Sequence, residues 1–243
     1  QDEVLLTAIN NGMDIHALTA LACFHDHPDC KAMLAEIGYT GNDWFSIVTL
    51  DAVKAFFKGK GKQLRQMAKN SIFGLVYGQG PNSLMLKIYL DVGIWVTKQE
   101  AARIQESLLA QYPGLRRWIN RTRAIAEGTR LAWTPMGRRY DVGDAWYTKC
   151  INTPCQGGAA EIMDEAMAEF PAVFRNAGID GYLVMTVHDE LIAEVRQGQE
   201  QRALDLMIEV MEEAAVRLFP AMPRYKLVEG NFGENWKAAK DKG

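Results

Sequence analysis

The stretch from Arg65 to Gly78 carries Arg65, Lys69, Phe73 and Tyr77, each four residues after the last. Because an α-helix makes one turn in about 3.6 residues, this spacing predicts a helix with two cations and then two aromatic rings along one face. Cations bind phosphate groups, and aromatic faces stack on bases. The stretch therefore has the layout of a nucleoside triphosphate, with a polyanion at one end and a flat base at the other. The same spacing is also typical of an aromatic pair in a core beside a solvated cationic edge.

The residues that lead into this helix are strongly basic. Between Val53 and Lys69 there are six cations and no acid, although the whole chain has a net charge of −3. The six are Lys54, Lys58, Lys60, Lys62, Arg65 and Lys69. The net charge argues against indiscriminate binding to nucleic acids, whereas the local run indicates either an anion site at the start of the helix or a solvated loop.

A second pattern lies between Tyr182 and Val195, where two β-prone apolar runs flank His188, Asp189 and Glu190. This pattern predicts a hairpin with two adjacent carboxylates at its tip. Mg²⁺ favours carboxylate oxygens combined with substrate phosphates, so one carboxylate can face a metal ion while the other lies nearby. The alternative is a turn whose acids are simply solvated.

Two smaller groups of residues also have a structural and a functional interpretation. One is a helix predicted for residues 154–177, which has Gly157 and Gly158 in its first turns. Glycines destabilise a helix, so their presence indicates the close approach of another backbone or of a ligand. The other is a group of zinc-ligand residue types whose spacing matches no zinc pattern and whose Pro28 and Asp29 indicate a turn instead. Its members are Cys23, His25, His27 and Cys30.

Taken together, these stretches resemble the family A DNA polymerases, the DNA polymerase I-like enzymes. The pattern R-x-x-x-K-x-x-x-F-x-x-x-Y-G at Arg65–Gly78 is similar to the helix of the fingers in that family. The V-H-D-E of Val187–Glu190 is similar to the metal-carboxylate motif of the palm. Four shorter stretches are similar to further motifs of the family and occur in the same order. They are Gly12-x-Asp14-Ile15-His16-x-x-Thr19-Ala20, Gly137-Arg138-Arg139, Asn152-x-x-x-Gln156-Gly157 and Gly233-Glu234-Asn235-Trp236.

The resemblance implies an α+β fold of the right-hand polymerase type, in an incomplete form. Mostly helical fingers would accompany a palm with a small antiparallel sheet. Residues 1–24 would join the palm to the fingers, residues 25–130 would form the fingers, and residues 131–243 would form the palm. The connection at residues 25–62 is longer than is usual in the family.

The resemblance also implies roles for the residues that would bind the incoming dNTP. Arg65 and Lys69 would hold the triphosphate, with Lys69 close enough to the leaving pyrophosphate to be catalytic. Phe73 would stack on the sugar and base, and a Phe here implies discrimination against dideoxynucleotides. Tyr77 would lie at the nascent base pair, and His16 would approach the triphosphate.

In the palm, the resemblance implies two-metal nucleotidyl transfer with Mg²⁺ as the cofactor. Asp189 would be the metal ligand and a catalytic residue, and Glu190 would be its catalytic neighbour. The residues implied to bind primer-template DNA are Arg138, Asn152, Gln156 and His188. Asn152 and Gln156 would face the minor groove, where all correct pairs offer similar acceptors.

One part of the family pattern is missing. The family has a second metal aspartate in a D-x-S-x-x-E strand that lies farther before the G-x-D-I-H segment than the thirteen residues that precede Asp14 here. The chain begins with Gln1 rather than Met. We therefore expect a C-terminal fingers and palm part of a divided polymerase, active as a heterodimer whose second polypeptide supplies the missing palm strand and the thumb. The alternative is a non-catalytic subunit that keeps the polymerase fold and binds primer-template DNA.

The remaining expectations concern partners and location. The partners are primer-template DNA, dNTPs and the second polypeptide, and no apolar run approaches the length of about 20 residues that a membrane span needs. A role in DNA replication in the cytoplasm of a bacterium or a phage-infected cell fits this interpretation, and an organelle is also compatible with it.

Overall fold

The computed structural model describes residues 2–224 and 227–241, and within them the chain is α+β as predicted. The helices are α1 (Glu3–Asn10), α2 (Ile15–Phe24), α3 (Pro28–Glu36), α4 (Trp44–Ile47), α5 (Asp51–Lys58), α6 (Lys62–Val76), α7 (Pro81–Val92), α8 (Lys98–Gln111), α9 (Pro113–Thr129), α10 (Trp146–Ala177), α11 (Glu200–Leu218) and α12 (Trp236–Lys240). The strands are β1 (Leu131–Trp133), β2 (Arg139–Asp141), β3 (Gly181–Val187) and β4 (Glu190–Val195). They form two two-stranded sheets, β1 with β2 and β3 with β4.

The chain divides into two compact units. One comprises the residues up to Ala132 together with Tyr140–Asn152, and the other comprises Trp133–Arg139 and the residues from Thr153 onward. Among the described residues, no helix combines the length and the apolar character needed to cross a bilayer.

The first unit is built around α6, which packs against α2, α5, α7 and α8. Its core-facing residues recur at the i, i+3, i+4 spacing of an amphipathic helix, which is why this segment is helical rather than a loop. They are Leu64, Met67, Ala68 and Leu75, all buried. The helix ends at Val76, and Gly78 follows in the left-handed conformation at φ +73°, which only Gly adopts without strain.

The long connection before α6 is a packed part of this first core. It forms α3, α4 and α5 between residues 28 and 58. Each of the three helices buries apolar side chains in the same cluster as α2 and α6, for example Met33, Trp44 and Phe57. Burial of side chains of this size is worth roughly 1.5–3 kcal/mol each, so the extra residues stabilise the first unit.

The second unit joins α11, the later turns of α10 and the β3–β4 hairpin. Its core contains Phe170 and Phe174 from α10, Leu191 from β4, and Val210 from α11. The hairpin is antiparallel, with Val187 opposite Glu190, and has a register shift between Leu183 and Met185.

Helix α10 is longer than the sequence pattern predicts. The pattern predicts a start at Pro154, because Pro lacks an N–H and favours a first turn. The helix instead begins at Trp146 and contains Pro154 in its interior. Cys150 and Ile151, in the turn before Pro154, are fully buried in a second cluster of apolar side chains within the first unit. Their burial offsets the cost of about 3 kcal/mol for a Pro inside a helix.

Candidate active site

The cation-and-aromatic face of α6 is open to solvent. Phe73 is 41% exposed and Tyr77 42% exposed, while Arg65 and Lys69 are partly buried on the same side of the helix. The two rings therefore do not form the core pair that the same spacing could have meant. An exposed pair of aromatic rings costs solvation free energy, so this face is a surface on which a ligand can stack.

Arg65 is held by an acid that caps α2. Its Nε donates to Asp14 Oδ2 at 2.7 Å. Asp14 Oδ1 accepts from the backbone N–H groups of His16 and Ala17 at 3.0 Å each, which makes Asp14 the N-cap of α2. The η nitrogens of Arg65 donate no hydrogen bond to the described residues. Asp14 thus orients the guanidinium and leaves its forked end available for phosphate oxygens.

The environment of Asp14 shifts the pKa of its carboxyl. Burial alone raises this pKa, but the Arg65 hydrogen bond, the Ala17 N–H and the charge of Arg65 together outweigh burial and hold the pKa below its usual value. The ion pair is consequently intact at neutral pH.

His16 and Lys69 lie on either side of the Phe73 ring. The His16 and Phe73 ring centroids are 6.0 Å apart with planes tilted by 48°, and Lys69 Nζ lies 5.8 Å from the Phe73 centroid. Burial, and then the charge of Arg65, lower the pKa of His16, so its ring is neutral at neutral pH. Its Nδ1 is buried and has no hydrogen-bond partner among the described residues. Lys69 makes no ion pair within that same part of the chain, so its positive charge is available to an anion.

Tyr77 lies where α6 ends against the first turns of α10. A Cβ built on Gly78 would stand 2.7 Å from the Cα of Thr148, so the two backbones touch. Asn152 lies one helical turn after Thr148, and its side-chain oxygen is buried without a hydrogen-bond partner in the described ranges. The first unit thereby places Tyr77 and Asn152 on neighbouring segments.

The acidic hairpin belongs to the second unit. Asp189 is exposed in the two-residue turn between β3 and β4, and its carboxylate makes no hydrogen bond or ion pair to the described residues. His188, beside it, has φ +56°, in the left-handed region where hairpin turns favour Gly. A His in that conformation costs free energy relative to a Gly.

Glu190 differs from its neighbour because its carboxylate is fully engaged. Trp236 Nε1 donates to Glu190 Oε1 at 2.7 Å, and Lys240 Nζ lies 3.0 Å from Oε2. The Trp236 hydrogen bond, and then Lys240, hold the pKa of Glu190 below its usual value. Lys240 Nζ also lies 4.7 Å from the centroid of the Trp236 ring. The side chains of α12 therefore bind one acid of the hairpin and leave the other open.

The remaining predicted DNA-binding residues lie along α10 and the turn before β2. Gln156 is exposed on α10, followed by the two glycines. Arg138 Nη2 lies 3.9 Å from Asp164 Oδ2 on the same helix. The predicted close approach at the glycines is to the Thr134–Pro135 segment: a Cβ on Gly157 would overlap Thr134 Cγ2, and one on Gly158 would stand 3.0 Å from Pro135 Cγ.

The fit of the acidic hairpin to Mg²⁺ follows from its donor set. Across the described parts of the chain, no three His, Cys, Asp or Glu residues cluster as a metal site. Mg²⁺ is commonly bound by one or two carboxylates together with waters and substrate phosphates. The open carboxylate of Asp189 fits as one such ligand, whereas Glu190 is already paired.

The residues of the possible zinc group have other roles. His27 caps α3 by accepting the N–H of Asp29 at 3.3 Å, and His25 stacks on Trp44 with centroids 5.2 Å apart. Burial raises the pKa of the Cys23 thiol to about 12, and Cys30 is fully buried. Thiolate ligands form less readily as the thiol pKa rises, and both thiols pack in the first core, whereas His27 is exposed at the start of α3.

Comparison with known proteins places this arrangement in a family. The family described as DNA polymerase family A matches residues 30–238 of the 243. The chain belongs to DNA polymerase family A. The matched range contains α6 and the acidic hairpin, so the two main motifs lie within the family's own sequence pattern.

Several bacterial relatives are DNA polymerase I proteins. The chain is 30% identical to DNA polymerase I of Chloroflexus aurantiacus over 219 residues, and these cover 86% of the chain and 20% of the relative. It is 27% identical to DNA polymerase I of Geobacillus stearothermophilus over 250 aligned residues, covering 99% of the chain and 24% of the relative. This family A chain thus spans about a fifth to a quarter of the length of these relatives.

A solved structure shares the fold. The polymerase domain of Pol1 from M. smegmatis, in complex with DNA primer-template and dNTP, superposes with a TM-score of 0.70 and 24% sequence identity. The match covers 98% of this chain and 37% of that one. This likeness confirms the polymerase fold of the family A chain.

The structure adds four residues that the sequence pattern did not indicate as functional. Asp14 holds Arg65, Trp236 and Lys240 hold Glu190, and Glu161 holds the turn before Arg138. Asp14 and Trp236 lie inside two of the shorter family motifs, and this was the only feature of the sequence that could have indicated a role for them. Each pairs with a residue far away in sequence, and spacing cannot predict such a contact.

The contribution of the Asp14–Arg65 pair can be tested by Asp14→Asn, which keeps an N-cap acceptor but removes the charge. Because the folded-state pKa of Asp14 is lowered, its stabilisation is present above its ordinary value of 3.8 and is lost as the pH falls through the lower folded-state value. We expect Asp14→Asn to lower the free energy of unfolding by roughly 0.5–1 kcal/mol at pH 7, since the pair is about a third exposed, and by less at pH 3.

Urea unfolding at the two pH values measures this difference. Asp91→Asn is the matched control, because Asp91 pairs with Lys87 in a similarly exposed position on α7. An Asp14→Asn effect that is the same at pH 3 and pH 7 would contradict the assignment of the pKa shift.

Proposed function

We propose that this chain carries out DNA-templated DNA synthesis as the fingers and palm part of a family A polymerase. The observation that carries the proposal is the exposed face of α6, where two cations precede two open aromatic rings. Membership of the family and the DNA polymerase I relatives support it. The division into a joining segment at residues 1–24, fingers at 25–130 and palm at 131–243 is part of the same proposal.

The face of α6 would bind the incoming dNTP. Arg65, oriented by Asp14, and Lys69 would bind the triphosphate through charge-assisted hydrogen bonds, and Lys69 would stabilise negative charge that develops on the leaving pyrophosphate. Phe73 would stack on the sugar and base, and His16 beside it would reach the triphosphate in its neutral form. Tyr77 would lie at the nascent pair.

Asp189 would hold Mg²⁺, because it is the acid of the hairpin whose carboxylate is open. When bound, Mg²⁺ supplies charge neutralisation on phosphate oxygens and activates the attacking hydroxyl. Glu190, paired with Trp236 and Lys240, would act by keeping the turn in place. Glu190 would therefore affect the reaction only through the position of the turn, whereas Asp189 would hold the metal ion.

Primer-template DNA would lie along α10 and the hairpin tip. Asn152 and Gln156, four residues apart on α10, would reach the minor groove, and Arg138 would contact the phosphate backbone. His188 would approach the primer terminus, and this contact would offset the cost of its left-handed backbone conformation. The M. smegmatis polymerase domain forms a complex with primer-template DNA and dNTP, and this supports the same ligands here.

The second metal aspartate would come from outside these 243 residues. The described residues contain no cluster of three metal-binding side chains, and these relatives are about four times as long as this chain. In the divided form of the enzyme, a second polypeptide would supply this aspartate and the thumb. A role in DNA replication in the cytoplasm of a bacterium or a phage-infected cell is part of this proposal, and the bacterial relatives support a bacterial setting.

A second candidate function is a non-catalytic subunit that binds primer-template DNA. The observation that favours it is the pairing of Glu190, which leaves one open carboxylate at the hairpin. Against it stand the open charge of Lys69 and the exposed rings of α6, which a subunit that only binds DNA would not need.

Primer extension with Mg²⁺ separates these functions. We expect the chain alone to bind primer-template DNA and to extend it little, and extension to appear when a second polypeptide that carries the missing aspartate is added. Extension by the chain alone would refute the need for an outside aspartate. Binding without extension, even with that polypeptide, would favour the non-catalytic subunit.

A further inference from the structure

A buried acid supports the turn that carries Arg138. Glu161 on α10 is 2% exposed and has no cationic partner among the described residues. Its Oε1 accepts a hydrogen bond from the Thr134 hydroxyl, and its Oε2 accepts from the backbone N–H of Met136 at 3.0 Å. A buried carboxyl group is costly unless its oxygens are hydrogen-bonded, and both oxygens of Glu161 are bonded to this one turn.

Thr134 passes this constraint on to Arg138. Its hydroxyl oxygen accepts from the N–H of Arg138 at 3.0 Å, and its own N–H donates to the carbonyl of Arg138 at 2.9 Å. The N–H of Gly137 donates to the Thr134 carbonyl at 2.9 Å. Both backbone groups of Arg138 are therefore bound by one residue, which is bound in turn by Glu161.

The surface of α10 leaves room for this arrangement. Any side chain at Gly157 would overlap the Thr134 methyl group, and one at Gly158 would meet both Pro135 and Phe219 at 3.0–3.1 Å. The turn consequently lies directly on the helix, one turn before Glu161. The Arg138 guanidinium lies along the same helix, 3.9 Å from Asp164.

We infer that Glu161 is a positioning residue for DNA binding: through Thr134 it fixes the backbone of Arg138 so that the guanidinium is presented to a DNA phosphate. This inference rests on the proposed DNA contact of Arg138. A fixed cation loses little conformational entropy when it binds phosphate, whereas a mobile one loses more.

Two substitutions break the hydrogen bonds that link Glu161 to Arg138 through Thr134, each at a different point. Thr134→Val removes the hydroxyl at nearly constant volume, and Thr134→Ser restores it. Glu161→Gln replaces one of the two accepting oxygens by an NH2 group, which cannot accept a hydrogen bond. Glu165→Gln is the matched control, because Glu165 lies on the same helix but faces Arg217. The first measurement is amide hydrogen exchange at Met136 and Arg138 without DNA. We expect faster exchange in Thr134→Val and Glu161→Gln, and protection close to that of the unsubstituted chain in Thr134→Ser and Glu165→Gln.

The second measurement is primer-template affinity as a function of salt. Loss of one phosphate contact reduces the slope of log K against log salt by about 1. We expect this reduction in Arg138→Ala, Thr134→Val and Glu161→Gln. We also expect no further reduction when Thr134→Val is combined with Arg138→Ala, because both changes remove the same contact. A merely structural role would give additive losses and an unchanged slope.

The outcomes separate this inference from the proposed function. A reduced slope in Arg138→Ala with an unchanged slope in Glu161→Gln and Thr134→Val overturns the positioning role. An unchanged slope in Arg138→Ala overturns the DNA contact of Arg138, and with it the inference. Exchange at Met136 and Arg138 that is insensitive to Glu161→Gln overturns the inference whatever the DNA results.

Discussion

Asp189→Asn is expected to reduce the rate of primer extension by about a thousandfold or more, while primer-template affinity changes by less than about threefold. Asparagine keeps the shape of the side chain but removes the negative charge that would hold Mg²⁺. A metal ion contributes several kcal/mol to phosphoryl transfer, and each ~1.4 kcal/mol corresponds to a factor of ten in rate. Because the Asp189 carboxylate makes no hydrogen bond or ion pair to the described residues, the hairpin is expected to stay folded.

Single-turnover extension in the complete polymerase measures the rate, and fluorescence anisotropy measures DNA binding. Asp180→Asn is the matched control, since Asp180 lies at the opposite end of the same hairpin and pairs with Arg196 at 2.5 Å. Its extension rate is expected to remain within about twofold of the unsubstituted enzyme. If Asp189→Asn retained a tenth or more of the activity, the proposed metal role of Asp189 would be wrong.

Lys69→Met is expected to lower kcat/KM for the incoming dNTP by about 10²–10³, a loss typical of removing one group that stabilises transition-state charge. Lys69 lies between Arg65 and Phe73 on the exposed face of α6, and its charge is not neutralised by an ion pair among the described residues. Methionine keeps the length of the side chain. The lost contact with the Phe73 ring is worth at most about 1 kcal/mol, so stability should change little.

Lys62→Met controls for the loss of one positive charge from the same helix, because Lys62 is exposed in its first turn. We expect Lys62→Met to leave kcat/KM within about twofold, and Lys69→Arg to retain more activity than Lys69→Met. A larger effect on kcat than on KM would place Lys69 at the leaving group, and a larger effect on KM would place it in substrate binding. Equal behaviour of Lys69→Met and Lys62→Met would contradict the catalytic role.

Local patterns were sufficient to predict the elements that present the candidate site. The four-residue spacing at Arg65–Tyr77 predicted one helix face, and α6 has that face exposed. The paired β-prone runs predicted the hairpin whose turn contains His188 and Asp189. Both predictions depend on interactions within a few residues, which the sequence records directly.

The partners of the site residues could not be predicted in this way. Arg65 is 51 residues from Asp14, Trp236 is 46 from Glu190, and Thr134 is 27 from Glu161. No periodicity links residues so far apart, because such contacts depend on how whole elements pack. The predicted start of α10 was wrong for the same reason, since the burial of Cys150 and Ile151 was not visible in the residues around Pro154.

The sequence by itself determined which residue types the candidate site contains: the cations and rings of α6 and the acids of the hairpin. Their spacing is local, and helical or extended backbone converts it directly into a shared face. Only the tertiary structure decided which of these groups is open. Glu190 is bound by α12, Arg65 is oriented by Asp14, and Asp189 and Lys69 remain available among the described residues. Availability depends on burial and pairing between distant segments, and those arise only when the elements pack.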